Sequence, residues 1–246
     1  MSLAQLLSES TLNHLLEATG ATEEHGSDGG NLLVAAPTAD GPSGTMRLFI
    51  GGSANTSVQK IVWTMLEVPA RGVTTCMIFA FANPTSGLPH FTLDCSDHGN
   101  GGHAFHLDLL PRVELATHVE YMDEVYGPLT PVYATGHAIP GLSDTRTTQR
   151  QFAMMSPWML VNLADEPAFR AVGDTVRAYA DRWISLAEQG LSNDVVDSLA
   201  DTDLAARDAR VRINLFSPEI DPVWGRVDSM IGPDAALMMR SQLQKA

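Results

Sequence analysis

Leu3, Leu6, Leu7, Leu12, Leu15 and Leu16 recur near helical spacing, so the chain is predicted to open with an amphipathic helix over 3–19 that Gly20 stops. Two polar, glycine-rich stretches, 21–31 and 37–44, then read as exposed, mobile connections. From residue 45 the pattern changes. Runs at 46–50, 57–68, 74–82 and 90–95 are rich in Val, Ile, Phe, Thr and Trp and are separated by Gly, Pro, Asn or Ser, which predicts strands. A fifth run, 103–109, follows through SDHGNGG, which has room for a hairpin but not for a helical crossover. The sheet is therefore expected to be mostly antiparallel, with 154–163 as a sixth strand. After the Asp165-Glu166-Pro167 start, Phe169, Val172, Val176, Tyr179, Trp183 and Leu186 step by three and four, predicting a helix to Gly190. Further helices are predicted at 194–212 and 233–244, with the prolines of FSPEIDP forcing a loop between them. Strands followed by helices, with neither linker nor repeat, predict one sheet-and-helix domain over 45–246, preceded at 1–44 by a helix and loops.

Composition narrows the chemistry. Hydrophobic residues make up 44% of the 246 and charged residues 18%, ample for a core. No apolar run reaches the roughly 18 residues of a membrane span, and the start lacks a basic segment and cleavage site, so the expectation is a cytoplasmic protein. Cys76 and Cys95 are too few for a disulfide framework or a four-cysteine metal site and are expected to be reduced packing residues. With 15 basic against 29 acidic residues, the net charge of −14 opposes binding to nucleic acid or to anionic lipid. No glycine-rich strand-to-helix turn is present, which disfavours NAD and ATP.

The densest polar cluster is HFTLDCSDH at 90–98 with His103 and His106. Strand alternation puts His90, Thr92 and Asp94 on one face and Phe91, Leu93 and Cys95 on the other, while His103 and His106 point to opposite faces, so metal ligands do not converge. Asp94 stands out. A carboxylate among apolar neighbours either has a partner or carries a raised pKa, which suits a proton donor; the alternative is a strand-end aspartate bonded to backbone. Asp108 reads as a structural bridge to backbone or to Arg112. Met154, Met155, Met159, Met238 and Met239 can line an adaptable pocket or fill the core. Cys95 beside His98 has no orienting third group, though an unrelated hydrolase or metal enzyme using Cys95, His98 or His103 stays open at this point.

Seven segments in collinear order carry a resemblance: TSVQKIVWTMLEVP at 56–69, LPHFTLD at 88–94, LDLLPR at 107–112, HVEYMDEVY at 118–126, MSPW at 155–158, the stretch from Arg207-Asp208 to Asp221, and IGPD at 231–234. Over residues 45–246 the chain resembles red chlorophyll catabolite reductase, a relative of the ferredoxin-dependent bilin reductases. The resemblance implies an α/β/α sandwich, with a mostly antiparallel central sheet flanked by helices and a linear tetrapyrrole bound between the sheet and the C-terminal helices. It also implies reduction of that pigment without bound flavin or metal, by single electrons from reduced ferredoxin, the pigment itself holding the radical. A non-catalytic tetrapyrrole-binding protein is the alternative.

The same resemblance assigns roles. Asp94 falls where the family has a catalytic glutamate on the central strand, and is implied to be the proton donor; its carboxyl is one methylene, over ~1 Å, further back. Asp221 falls near the second acidic position, with Asp228 and Glu219 as rivals. His90 and Thr92, on the face of Asp94, and Met155, at a pocket-shaping position, are implied substrate contacts, and Arg146 and Arg150 are implied to hold the propionates. Ferredoxins are acidic, as this chain is, so docking needs a local basic patch, for which Arg207, Arg210, Arg212 and Arg226 are the candidates. The chain starts at a leucine-rich helix without an Arg/Ser-rich leader, which leads to the expectation of a bacterial cytosolic protein acting on a biliverdin-type bilin. A homodimer is compatible with all of this.

Overall fold

A computed structural model describes residues 1–52, 57–145 and 147–246. Helix α1 (Leu3–Thr19) is capped by the Ser2 hydroxyl, which accepts from the Gln5 N–H, and ends at Gly20, whose φ of 64° is a left-handed conformation that glycine adopts freely. Two short strands, β1 (Thr22–Glu24) and β2 (Leu33–Ala35), lie in the first glycine-rich stretch and just after it. Then come β3 (Ser43–Ile50), β4 (Val58–Val68), β5 (Val73–Ala82), β6 (His90–Asp97) and β7 (His103–Leu110). Helices α2 (Val119–Tyr126) and α3 (Thr130–His137), strand β8 (Leu142–Asp144), the short helix α4 (Gln149–Phe152) and strand β9 (Leu160–Ala164) follow. The C-terminal third supplies α5 (Glu166–Gln189), α6 (Asn193–Ser198), α7 (Leu204–Leu215), α8 (Val223–Ile231) and α9 (Pro233–Gln244).

Among the described residues nine strands form one sheet, in the order β1-β3-β4-β5-β6-β7-β9-β8, with β2 beside β1 on the free side of β3. Every pairing is antiparallel. Alternation along the strands sends side chains to two faces, each with its own core. Ile61, Trp63, Ile78, Phe91, Leu93 and Leu107 pack beneath α1 and α5. Met46, Val62, Phe79, Phe81 and Leu110 pack beneath α7, α8 and α9. The result is the α/β/α sandwich with a central antiparallel sheet that the sequence predicts.

Two indole hydrogen bonds fix the first layer: Trp63 Nε1 donates to Ser8 Oγ of α1 at 2.8 Å, and Trp183 Nε1 of α5 donates to the Pro89 carbonyl at 2.9 Å. The second layer is held by charge. Asp208 of α7, 1% exposed, accepts from His90 at 2.7 Å and Arg212 at 2.8 Å, and lies 3.5 Å from Arg112. Three donors around one carboxylate hold it down to about 2 despite its burial. Lys60 Nζ meanwhile donates to the carbonyls of Gln242 and Lys245, clamping the end of α9 to β4.

Three expectations change. The glycine-rich stretches contain or abut β1 and β2, whose residues are polar or exposed because they pair only along one edge of β3. The helix expected at 194–212 is two helices, because Asp203 caps the Ala206 N–H and restarts the turn. After FSPEIDP the chain forms α8, over residues to which the sequence pattern assigns no element.

Candidate active site

Between the sheet and α8 lies a cleft of about 820 Å³, within the roughly 300–1,000 Å³ usual for small-molecule sites. Two adjacent rungs of the sheet make its floor. In one, Leu66, Thr75, Ser96 and Ala104 are successive cross-strand partners; in the next, Met77, Asp94, His106 and Val161 are. All but Met77 line the cleft. Val223, Arg226, Ser229 and Met230 of α8 form the opposite wall, and Pro42 and Arg71 stand at one end. The wall approaches closely there because Gly44 has no side chain: a Cβ would meet Ile231 Cγ2 at 3.0 Å.

Asp94 sits in the middle of this floor, partly buried. Burial pushes its carboxyl up to about 7, and the negative charge of Asp221 adds to the shift. Among the described residues nothing hydrogen-bonds that carboxyl, so no partner opposes the desolvation. A carboxyl with these properties is about half protonated at neutral pH, the condition for an efficient general acid.

Asp108 is also pushed up to about 7 by burial, but it is sealed, with no exposed surface, and its oxygens accept from Ser156 N at 2.8 Å and Ser156 Oγ at 2.5 Å. It is a bridge to backbone, one of the two expected arrangements, with the Ser156 hydroxyl as a further donor and without Arg112. Its task is to pin the segment 154–159 beside the second core.

Of the acids near the second position, Asp221 is the one whose charge acts on Asp94. Its Oδ1 accepts from Val223 N at 3.0 Å at the start of α8, and burial raises its pKa. Asp228 instead faces Arg240 at 3.8 Å, and Glu219 is exposed.

The remaining residues singled out in the sequence sit elsewhere. His90 is 2% exposed and both ring nitrogens are used: Nδ1 accepts from the Ala82 N–H, which leaves the proton on Nε2 to donate to Asp208. Burial first, and then Arg112, push it down to about 3, so it is neutral. Thr92 is fully buried, and Met155 packs at the margin of the second core; neither these two nor His90 is among the residues lining the cleft. Arg150 donates to the Glu219 carbonyl, away from the cleft lining, and Arg146 and Thr56 lie outside the described residues. Of the four arginines considered for docking, Arg212 is buried against Asp208 and Arg207 is tied to the Pro111 carbonyl, which leaves Arg210 and Arg226 exposed. The cysteine alternative loses its geometry. The Cys95 thiol donates to the Ala4 carbonyl on the other face of the sheet, burial raises its pKa well above the ordinary thiol value, and His103 is paired with Asp97 at 2.6 Å. Among the described residues no three His, Cys, Asp or Glu side chains converge as a metal site, and no helix is long and apolar enough to cross a membrane.

His106 was not singled out as a site residue. Its place opposite Asp94 depends on the register of β6 against β7, which spacing alone does not provide.

No protein-family model matches the chain, and no curated protein sequence matches it. A solved structure does: the crystal structure of phytochromobilin synthase from tomato in complex with biliverdin superposes with a TM-score of 0.73, at 16% sequence identity, over 98% of this chain and 82% of that one. The chain shares the fold of that synthase. In this chain the cleft lies between the central sheet and the C-terminal helices, with Asp94 on its floor.

Proposed function

We propose that this protein reduces a linear tetrapyrrole of the biliverdin type, taking electrons one at a time from reduced ferredoxin and protons from its own carboxyls. The observation that carries the reading is Asp94: an acid held near 7, unbonded among the described residues, on the floor of a cleft of about 820 Å³ in a fold that resembles that of a biliverdin complex. Reduction of one double bond takes up two electrons and two protons. Asp94 gives the first proton to the pigment and becomes a carboxylate; Asp221, at the start of α8 and an anion until then, takes up a proton from water and supplies the second. Because the two acids repel as anions, loss of the first proton raises the affinity of Asp221 for its own, which orders the two transfers.

Arg71 and Arg226, both exposed at the cleft, are two cations that meet the propionates, Arg150 lying away from the cleft lining. The same arginines give an acidic ferredoxin a local basic mouth on a chain of net charge −14. The pigment holds the unpaired electron between deliveries, so the protein's part is to bind, to exclude water and to hold protons. Mixed with biliverdin, the purified protein is expected to shift the visible absorption of the pigment. Adding ferredoxin, its reductase and NADPH without oxygen is expected to change the spectrum again and yield a reduced bilin. A first shift without the second indicates a tetrapyrrole-binding protein without catalysis; neither change refutes the reading.

A further inference from the structure

Buried polar side-chain atoms nearly always have a hydrogen-bond partner, so the exceptions are informative. Among the described residues they are Thr92 Oγ1, His106 Nε2, Asp208 Oδ2, Arg212 Nε and Asp228 Oδ1. Asp208 and Arg212 are paired with each other as ions, and Asp228 lies 3.8 Å from Arg240. That leaves Thr92 and His106, and both flank Asp94 on one sheet face: Thr92 two residues earlier on β6, His106 its direct cross-strand partner on β7. Side chains directly opposite in an antiparallel pair stand about 4.5–5.5 Å apart at Cβ, within the span of one five-membered ring. His106 also lines the cleft, whereas Thr92 is sealed beneath it.

We propose that His106 is a substrate-binding residue that hydrogen-bonds the polar edge of the pyrrole-derived ring lying on Asp94, and thereby selects which ring of the tetrapyrrole is protonated. The inference rests on the reading of the protein as a tetrapyrrole reductase. Burial pushes the imidazole down to about 4, so it is neutral at working pH. A neutral imidazole offers one donor and one acceptor. The two nitrogens point apart, so one of them meets one atom of the lactam edge of a terminal ring, and a neutral ring offers a propionate no counter-charge. Neutrality has a second effect. A histidinium here would draw the proton off Asp94 as an ion pair, whereas the neutral ring leaves Asp94 protonated and able to donate.

The test uses the full chain with His106→Leu and His106→Gln, biliverdin as the probe, and three readouts: the dissociation constant from visible titration, anaerobic turnover with reduced ferredoxin, and the position of the reduced bond in the products. Loss of the hydrogen bond in His106→Leu is expected to weaken biliverdin binding about tenfold and to give a mixture of reduction positions. His106→Gln, which keeps a donor and an acceptor, is expected to stay within about threefold of the wild type with a single product. Should His106→Leu fail to fold, His106→Val carries the same expectation on a strand that favours β-branched residues. If the apolar variant binds biliverdin as the wild type does and makes the same single product, the role of His106 is refuted while the proposed function stands. If the wild-type protein neither binds nor reduces biliverdin, both fall together.

Discussion

Replacing Asp94 by Asn makes a sharp test of electrostatics that needs no substrate. In the unfolded chain this carboxyl titrates near 3.8; in the folded protein burial and Asp221 move it to about 7. Between those values the folded state holds a proton that the unfolded state has lost, so Asp94 makes folding less favourable as pH rises through this window, and the loss levels off above about 7. At about 1.4 kcal/mol per pH unit, the full effect is about 4 kcal/mol at high pH, of which roughly a third is already present at pH 5. The increment between pH 5 and pH 9 is therefore about 2–3 kcal/mol, taken at the lower end because Asp94 is partly open to cleft water. Asn carries no charge and removes the whole dependence. For a chain of 246 residues, 1 kcal/mol moves the melting temperature by about 2 °C. Melting curves of wild type and Asp94→Asn at pH 5 and pH 9 are thus expected to show the variant gaining about 4–6 °C on the wild type across that interval. His106, Asp108 and the other groups not coupled to Asp94 are common to both proteins and cancel, while the coupling to Asp221 is part of the Asp94 shift and is removed with it. A difference that stays constant with pH, or a wild type that gains on the variant between pH 5 and pH 9, refutes the placement of a desolvated carboxyl at this position.

Three further outcomes are expected. Asp208→Asn leaves Arg112 and Arg212 buried without their counter-charge, and urea titration is expected to show a loss of about 3–5 kcal/mol. Ser156→Ala removes the hydroxyl that donates to Asp108 at 2.5 Å, a change expected to cost about 1–3 kcal/mol by the same assay and to push the Asp108 carboxyl further up. Arg226→Glu reverses the charge on the cleft wall beside Asp221, and biliverdin titration is expected to show weaker binding, with a smaller deficit at high salt.

Much of this architecture was legible because burial writes a period into the chain. The leucines of α1 and the three- and four-residue steps of α5 named those helices nearly to the residue, and the alternation HFTLD placed Asp94 on the face opposite Phe91 and Leu93. Elements that are short, or that lack a buried stripe of their own, were not legible. Strands β1 and β2 exist through pairing with β3, and α8 is a short helix sandwiched between prolines. The site divides in the same way. Asp94 announces itself as a charge among apolar neighbours, whereas His106 becomes its partner only through register, and Ser156 meets Asp108 across 48 residues of sequence. His90 read as a site residue because it shares the face of Asp94; in the folded chain Ala82 and Asp208 occupy both of its nitrogens.

The central claim is that Asp94 hands its proton to a bound tetrapyrrole, and anaerobic turnover of Asp94→Asn with biliverdin, ferredoxin, ferredoxin reductase and NADPH tests it most directly. The variant is predicted to bind the pigment with a wild-type visible spectrum and to lose about 10²–10⁴-fold in the rate of reduction, the range supplied by a general acid. Reduction at the wild-type rate would contradict the account.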